Sequence, residues 1–181
     1  MTAPTTRETI VAVAQELFAE RGYTATTIKD VADRAGFSPA MVMKVMGSKA
    51  ELYAAAAPSD LPADESAGSG GAIGLTLVRT IVERRDAGEA ERWAMLPFLI
   101  HEAPVPESIA AELRERYLRA ISERISDTSP DRITSQLVIA LLLGLAGTIR
   151  TLGLLTPGDL PSEDLIRGYG ALVQSVVDGD A

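Results

Sequence analysis

The stretch TTIKDVADRAGFSPAMVMKVMGSKAEL, Thr26 to Leu52, decides how this chain is read, because it carries its own punctuation. Thr27 followed by Asp30 has the spacing of a capping box, in which a hydroxyl and a carboxylate satisfy free N–H groups at a helix start. The box opens a short helix whose Ile28, Val31, Ala32 and Ala35 face inward. Gly36 stops that helix and Ser38 caps the next. Pro39 takes the first helical position, where its missing N–H costs nothing. Gly47 ends this third helix, and Ser48 with Glu51 starts a fourth, running through about Ala57. Upstream, Ile10, Val13, Ala14, Leu17 and Phe18 recur at the spacing of one apolar helix face, which Gly22 closes.

Downstream the composition changes. PSDLPADESAGSGGA, Pro58 to Ala72, is rich in proline, glycine, serine and acid, and reads as a flexible linker and domain boundary. Its GSGGAIG is not a phosphate cradle, because the glycine spacing is wrong and no strand pattern precedes it. Five further helices are predicted, over about 72–87, 89–103, 106–127, 130–155 and 161–178. No stretch alternates with a period of two, so the expected fold is all-α with about nine helices. ITSQLVIALLLGLAGTIRTLGLL, Ile133 to Leu155, is apolar all round in its middle and must be covered on more than one side. The economical partner is a second copy of the chain. Gly144 and Gly147 permit close approach there, within one monomer or between two.

Composition narrows the chemistry. The 181 residues are 46% apolar and 23% charged, ordinary for a folded globular chain. Cysteine is absent, which removes disulfides, thiolate metal sites and cysteine nucleophiles. The lone histidine, His101, provides no cluster for a metal and no nucleophile–base pair. Carboxylate pairs such as Glu112 and Glu115 lie on a charge-rich helix surface that water explains. Neither an enzyme nor a cofactor is expected.

The opening MTAPTTRETI lacks a signal-peptide pattern. The longest apolar run, Val138 to Ile149, falls short of the roughly 20 residues that cross a bilayer, so a cytoplasmic protein without membrane attachment is expected. Net charge is −8, but it is unevenly spread. In residues 1–57, Arg7, Arg21, Lys29, Arg34, Lys44 and Lys49 balance an equal number of acids, and the whole excess of acid lies beyond.

AQELFAERGYTATTI (Ala14 to Ile28), VADRAGFS (Val31 to Ser38) and GSKAEL (Gly47 to Leu52) carry a resemblance. Together they resemble the N-terminal helix-turn-helix of the tetracycline-repressor-like (TetR) family of one-component transcription regulators. The resemblance implies a three-helix DNA-binding domain over 1–57 and an effector-binding and dimerisation domain over 58–181. It implies a repressor acting as a homodimer on a near-palindromic, double-stranded DNA operator and responding to a small-molecule effector. The third helix would enter the major groove, presenting Ser38, Pro39, Ala40, Met41, Met43 and Lys44. Thr26 or Thr27 would meet phosphate at the second helix's start, and Lys49 at the fourth's. Trp93, Phe98, His101 and Tyr117 are the candidate effector-pocket residues. Leu142, Leu145 and Ile149, with Leu172 and Val176 of the last helix, are the candidate dimer contacts.

Departures from the family pattern fall in the third helix. Members commonly carry an aromatic where this chain has Met43, an aromatic or histidine at Val45, and phenylalanine at Met46. That helix holds no arginine, asparagine or glutamine, so bidentate readout of guanine or adenine is absent from it. Lys44 is its one strong donor, while Ala40, Met41 and Met43 suit thymine methyl groups. The alternative is a degenerate member, a small-molecule-binding or interaction dimer without specific DNA binding.

Overall fold

The structure, a computed structural model, describes residues 4–57, 72–88 and 107–180. The expected linker at 58–72 (apart from Ala72) and the expected helix at 89–103 lie outside the described residues, as do Trp93, Phe98 and His101. Every regular element among the described residues is helical. They are α1 (Thr6–Ala25), α2 (Ile28–Ala35), α3 (Pro39–Met46), α4 (Lys49–Ala56), α5 (Ile73–Asp86), α6 (Glu107–Ile125), α7 (Ile133–Leu152) and α8 (Ser162–Asp178). Packing gathers residues 4–57 with 107–113 into one compact unit, and 72–88 with 114–180 into a second.

In the first unit, α1 to α4 each start on a side-chain cap. Thr5 and Glu8 form a reciprocal capping box at α1, Thr27 and Asp30 another at α2, while Ser38 accepts from the Met41 amide and Ser48 from the Glu51 amide. Gly22, at φ 75°, breaks α1, and a short helical turn resumes as far as Ala25. Gly36, at φ 76°, makes the left-handed turn between α2 and α3 that a Cβ would strain. The core between the helices contains Ile10, Leu17, Val31, Val42, Leu52 and the lower part of α3 at Met46. Met46 fills a place suited to its unbranched, adaptable side chain. Phe18, Tyr23 and Tyr53 complete the core, with Tyr53 edge-on to both other rings at 5.0 and 5.2 Å. Emptying such a site, as in Leu17→Ala, costs about 2–5 kcal/mol, a large share of a small domain's stability.

The second unit is organised by a close helix crossing. A Cβ on Gly74 of α5 would stand 2.6 Å from the Gly170 carbonyl oxygen, and one on Gly170 of α8 would stand 2.9 Å from the Leu75 Cα. The two glycines thus let α5 and α8 touch backbone to backbone, and the Gly74 amide donates to Gln174 Oε1 across the crossing at 2.8 Å. Within the protomer it is these glycines, and not Gly144 or Gly147, that bring two helix backbones together. A Cβ on Gly147 would meet nothing within 4 Å, and one on Gly144 only the Tyr169 hydroxyl.

At the far end of α5, the nearly buried Arg85 side chain ties three segments together. It donates to the Leu155 carbonyl at 2.6 Å and to Ser162 Oγ at 2.8 Å, while pairing with Asp86. Helix α7 begins at Ile133, later than the apolar pattern suggests, and its first turn is capped from a distance. Asp127 accepts from the Ser135 amide at 3.0 Å and from its hydroxyl, and also from Ser129. These hydrogen bonds, those of Ser129 first, hold the Asp127 carboxyl down to about 2.

Leu142 and Leu145 are corrected by this packing. Both are fully buried within the protomer, facing the unit's own core, so neither is surface for a partner. Ile149 and Val176 are partly buried, and Leu172 is exposed. The apolar side chains that α7 leaves uncovered are Ile133, Leu137 and Leu152, which recur on one helix face with Gly144 and Thr148 between them. Helix α7 is also longer than its uninterrupted apolar run, and with mean hydropathy 1.6 it is long and apolar enough to cross a bilayer. Its Val138, Leu142, Leu145 and Ala146 are instead buried in the unit's core.

Candidate nucleic-acid interface

Helix α3 shows one face to its core and another to solvent. Val42 and Met46 are buried and Val45 packs partly against them, which leaves Ala40, Met41, Met43 and Lys44 outward. At about 100° per residue these four span one contiguous arc. Ala40 and Lys44 lie one turn apart along its middle, with Met41 on one flank and Met43 on the other. Ser38 and Pro39 are exposed at its start. The Ser38 hydroxyl is engaged as a cap, accepting from the Met41 amide at 3.2 Å.

Thr26 does not belong to this surface. It is completely buried, and its hydroxyl donates to the carbonyls of Gly22 at 2.9 Å and Leu17 at 3.2 Å. It repairs the backbone where Gly22 breaks α1, which excludes it from meeting a phosphate. The spacing to Asp30 marks Thr27 as the cap, but nothing local in the sequence shows that Thr26 is buried. Thr27 is exposed, but its hydroxyl is already donated to Asp30 Oδ2 at 2.6 Å. Those Thr27 bonds, with help from Arg21 and Lys29, keep the Asp30 carboxyl below its usual range. The start of α2 therefore carries an anion of its own.

Lys49, in the first turn of α4, lies with its ammonium 4.3 Å from the centre of the Tyr23 ring. Partial burial pulls its pKa below the ordinary lysine value, and Asp30 pulls the other way. A cation held over a ring has less freedom than one on a free stem, so it meets an anion from a restricted set of positions. Sequence reasoning found the lysine but missed its aromatic seat. The Tyr23 and Lys49 positions are too far apart in the chain for any local pattern to pair them. Arg34, by contrast, is engaged away from α3, pairing with Glu16 at 3.1 Å and Glu20 at 3.3 Å.

Tyr117 is buried in the second unit. Its three companion pocket candidates lie outside the described residues. No group of three or more acidic or histidine side chains placed to hold a metal occurs among the described residues.

A short capped helix, a left-handed glycine turn and a second helix with one exposed face form a helix-turn-helix, and comparison with known families places it. Residues 10–56 match the bacterial regulatory proteins of the tetR family, and residues 72–177 match the tetracyclin repressor-like C-terminal domain. The chain belongs to the TetR family. Its fold and family are those of DNA-binding transcription regulators. No curated protein matches the chain in sequence. Among solved structures, a TetR-family regulator from Streptomyces coelicolor A3 is 27% identical, with a TM-score of 0.62 over 96% of this chain and 94% of that one. The fatty acid degradation regulator FadR from Bacillus halodurans is 14% identical, with a TM-score of 0.65 over 99% and 98%, a likeness of fold alone.

Proposed function

We propose that this TetR-family chain is a transcriptional repressor that binds a near-palindromic operator as a homodimer and is released by a small molecule held in its second unit. It is not an enzyme, and it works in the cytoplasm. The observation that carries the reading is the exposed arc of α3, with Lys44 and Ala40 between two methionines on a rigid, capped helix. Such an arc suits thymine methyl contacts and one lysine donor, so phosphate positioning and DNA shape supply the rest of the preference. Lys49, held on Tyr23, supplies a backbone contact beside that reading, while the start of α2 already carries the Asp30 carboxylate.

Homodimerisation is supported by the uncovered apolar face of α7 together with Leu172 of α8. Two copies covering that face would bring two reading helices into one molecule, and successive major grooves on one side of DNA recur about every 34 Å. An effector acts by favouring a separation that does not fit. Releasing DNA a hundredfold requires it to prefer that state by about 2.8 kcal/mol.

The test is selection by the purified protein from fragments of its own genome, beginning with DNA flanking its own gene, followed by footprinting. A protected near-palindrome supports the repressor. No enrichment over competitor DNA at low salt would replace it with a dimer that binds small molecules or partners but reads no sequence. The neutral charge of residues 1–57 and the scarcity of donors on α3 are what that second reading rests on.

A further inference from the structure

Three of the chain's five methionines sit on α3, and the helix treats them differently. Met41 and Met43 are 41% and 42% exposed, whereas Met46 is 7% exposed inside the core. The two exposed thioethers flank the Ala40–Lys44 stripe, so any surface lying against that stripe also lies against both sulfurs. The chain has no cysteine, the side chain whose thiolate otherwise takes up oxidants. Accessible thioethers are then its most readily oxidised groups.

We propose that Met41 and Met43 form an oxidation site through which hypochlorous acid weakens the protein's hold on DNA; this rests on the reading of α3 as the DNA-facing helix. In the reaction, the sulfur lone pair displaces hydroxide from chlorine to give a chlorosulfonium. A water oxygen then bonds to sulfur as chloride leaves. Sulfur gains one oxygen and loses two electrons, hypochlorous acid is reduced to chloride, and one proton is released overall. The sulfoxide has a strong acceptor where an apolar group stood. Against a thymine it would face the C5 methyl and the O4 acceptor, with no donor for its own oxygen. Two such dipoles at the flanks of Lys44 oppose the contacts that the methionines make when reduced. Methionine sulfoxide reductases reverse the step, one enzyme for each sulfur epimer, so the site can be reset.

The experiment treats the full-length protein with small molar excesses of hypochlorous acid. It locates sulfoxides by peptide mass spectrometry and measures Kd for a duplex that the untreated protein selects from a random pool. Circular dichroism monitors the fold. The expected result is sulfoxide at Met41 and Met43 before Met46, with Kd rising about tenfold or more, the scale of one buried acceptor left without a donor. Treatment with the two reductases should restore binding. The Met41→Leu, Met43→Leu double variant keeps apolar side chains of similar volume but has no sulfur there, so whatever its own starting Kd, that Kd should not change under the same oxidant. Unchanged Kd with both positions fully oxidised would overturn the proposal while leaving the repressor reading intact. So would an equal loss in the double variant, which would locate the damage elsewhere, for example in chlorinated Lys44 or Lys49. If the double variant does not fold, reductase rescue of the wild-type protein decides the matter, and failure of rescue overturns the proposal. An untreated protein that selects no duplex would remove the underlying reading and the proposal with it.

Discussion

The ammonium of Lys49 stands 4.3 Å from the centre of the Tyr23 ring, so a cation at the start of α4 is held by an aromatic just past the break in α1. The same ring packs against Phe18 and Tyr53 in the core. A core element thereby fixes where a surface charge sits.

Lys49→Ala should weaken binding to all DNA sequences alike, because a phosphate contact carries no base information. The log–log salt dependence should become shallower by about 0.9 per protomer, one phosphate's share. Tyr23→Phe keeps the ring face and should leave both affinity and slope close to wild type. Titrating binding against salt for the three proteins checks this, and a sequence-selective loss in Lys49→Ala would contradict it.

Lys44→Ala has a different signature. It removes the one strong donor on the exposed arc of α3, so it should both weaken binding and relax preference at one position of each half-site, by about 1–3 kcal/mol of discrimination. Competition between the selected duplex and single-base variants measures this. Preference left intact would mean that Lys44 touches only phosphate.

The first unit was nearly all legible in the sequence, and the reason is that its signals are local. Thr27 with Asp30, Ser38 with Pro39, and Ser48 are caps whose partners lie within a turn, and the structure forms each of them. What stayed hidden depends on tertiary neighbours. Thr26 reads as a possible surface contact until the α1 break is built and buries it. Leu142 and Leu145 belong to a helix that is apolar all round, so its sequence could not say which side faces its own core. Asp127 caps α7 from eight residues upstream of Ser135, beyond the reach of any capping pattern.

Gly170→Ala provides a sign test of the α5–α8 crossing. In an open helix, alanine for glycine stabilises by up to about 1 kcal/mol. Here the new Cβ would meet the Leu75 backbone at 2.9 Å, so the change should destabilise by about 1–3 kcal/mol. Denaturant unfolding decides the sign. A stabilised variant would mean the helices do not cross so closely.

Acid should act through Asp127. Its folded pKa of about 2 lies below the unfolded value near 3.8, so its stabilisation is complete above about pH 4. It is lost as pH falls towards 2, where the carboxyl protonates in both states. Asp127→Asn should therefore be less stable than wild type at neutral pH, and the gap should close between about pH 4 and pH 2. Thermal melts of the two proteins across that range check it, and a gap independent of pH would contradict it.

Substitution tells the proposed dimer face from the core. Leu172→Arg places charge on exposed surface, so it should leave the fold intact and yield monomers in sedimentation. Leu142→Arg buries an unpaired charge, and should unfold the second unit. A folded Leu172→Arg dimer would move the interface elsewhere.

Whether an α3 this apolar still reads DNA shows in the salt dependence of Kd for the selected duplex against a scrambled one of equal length. A dimer neutralising about 6–8 phosphates should give a log–log slope of roughly −5 to −7 on the selected duplex. Preference for that duplex over the scrambled one should persist at every salt concentration. Equal Kd values for the two duplexes, even at low salt, would contradict reading by α3 and leave a TetR-family dimer that has kept the shape of a reader without its use.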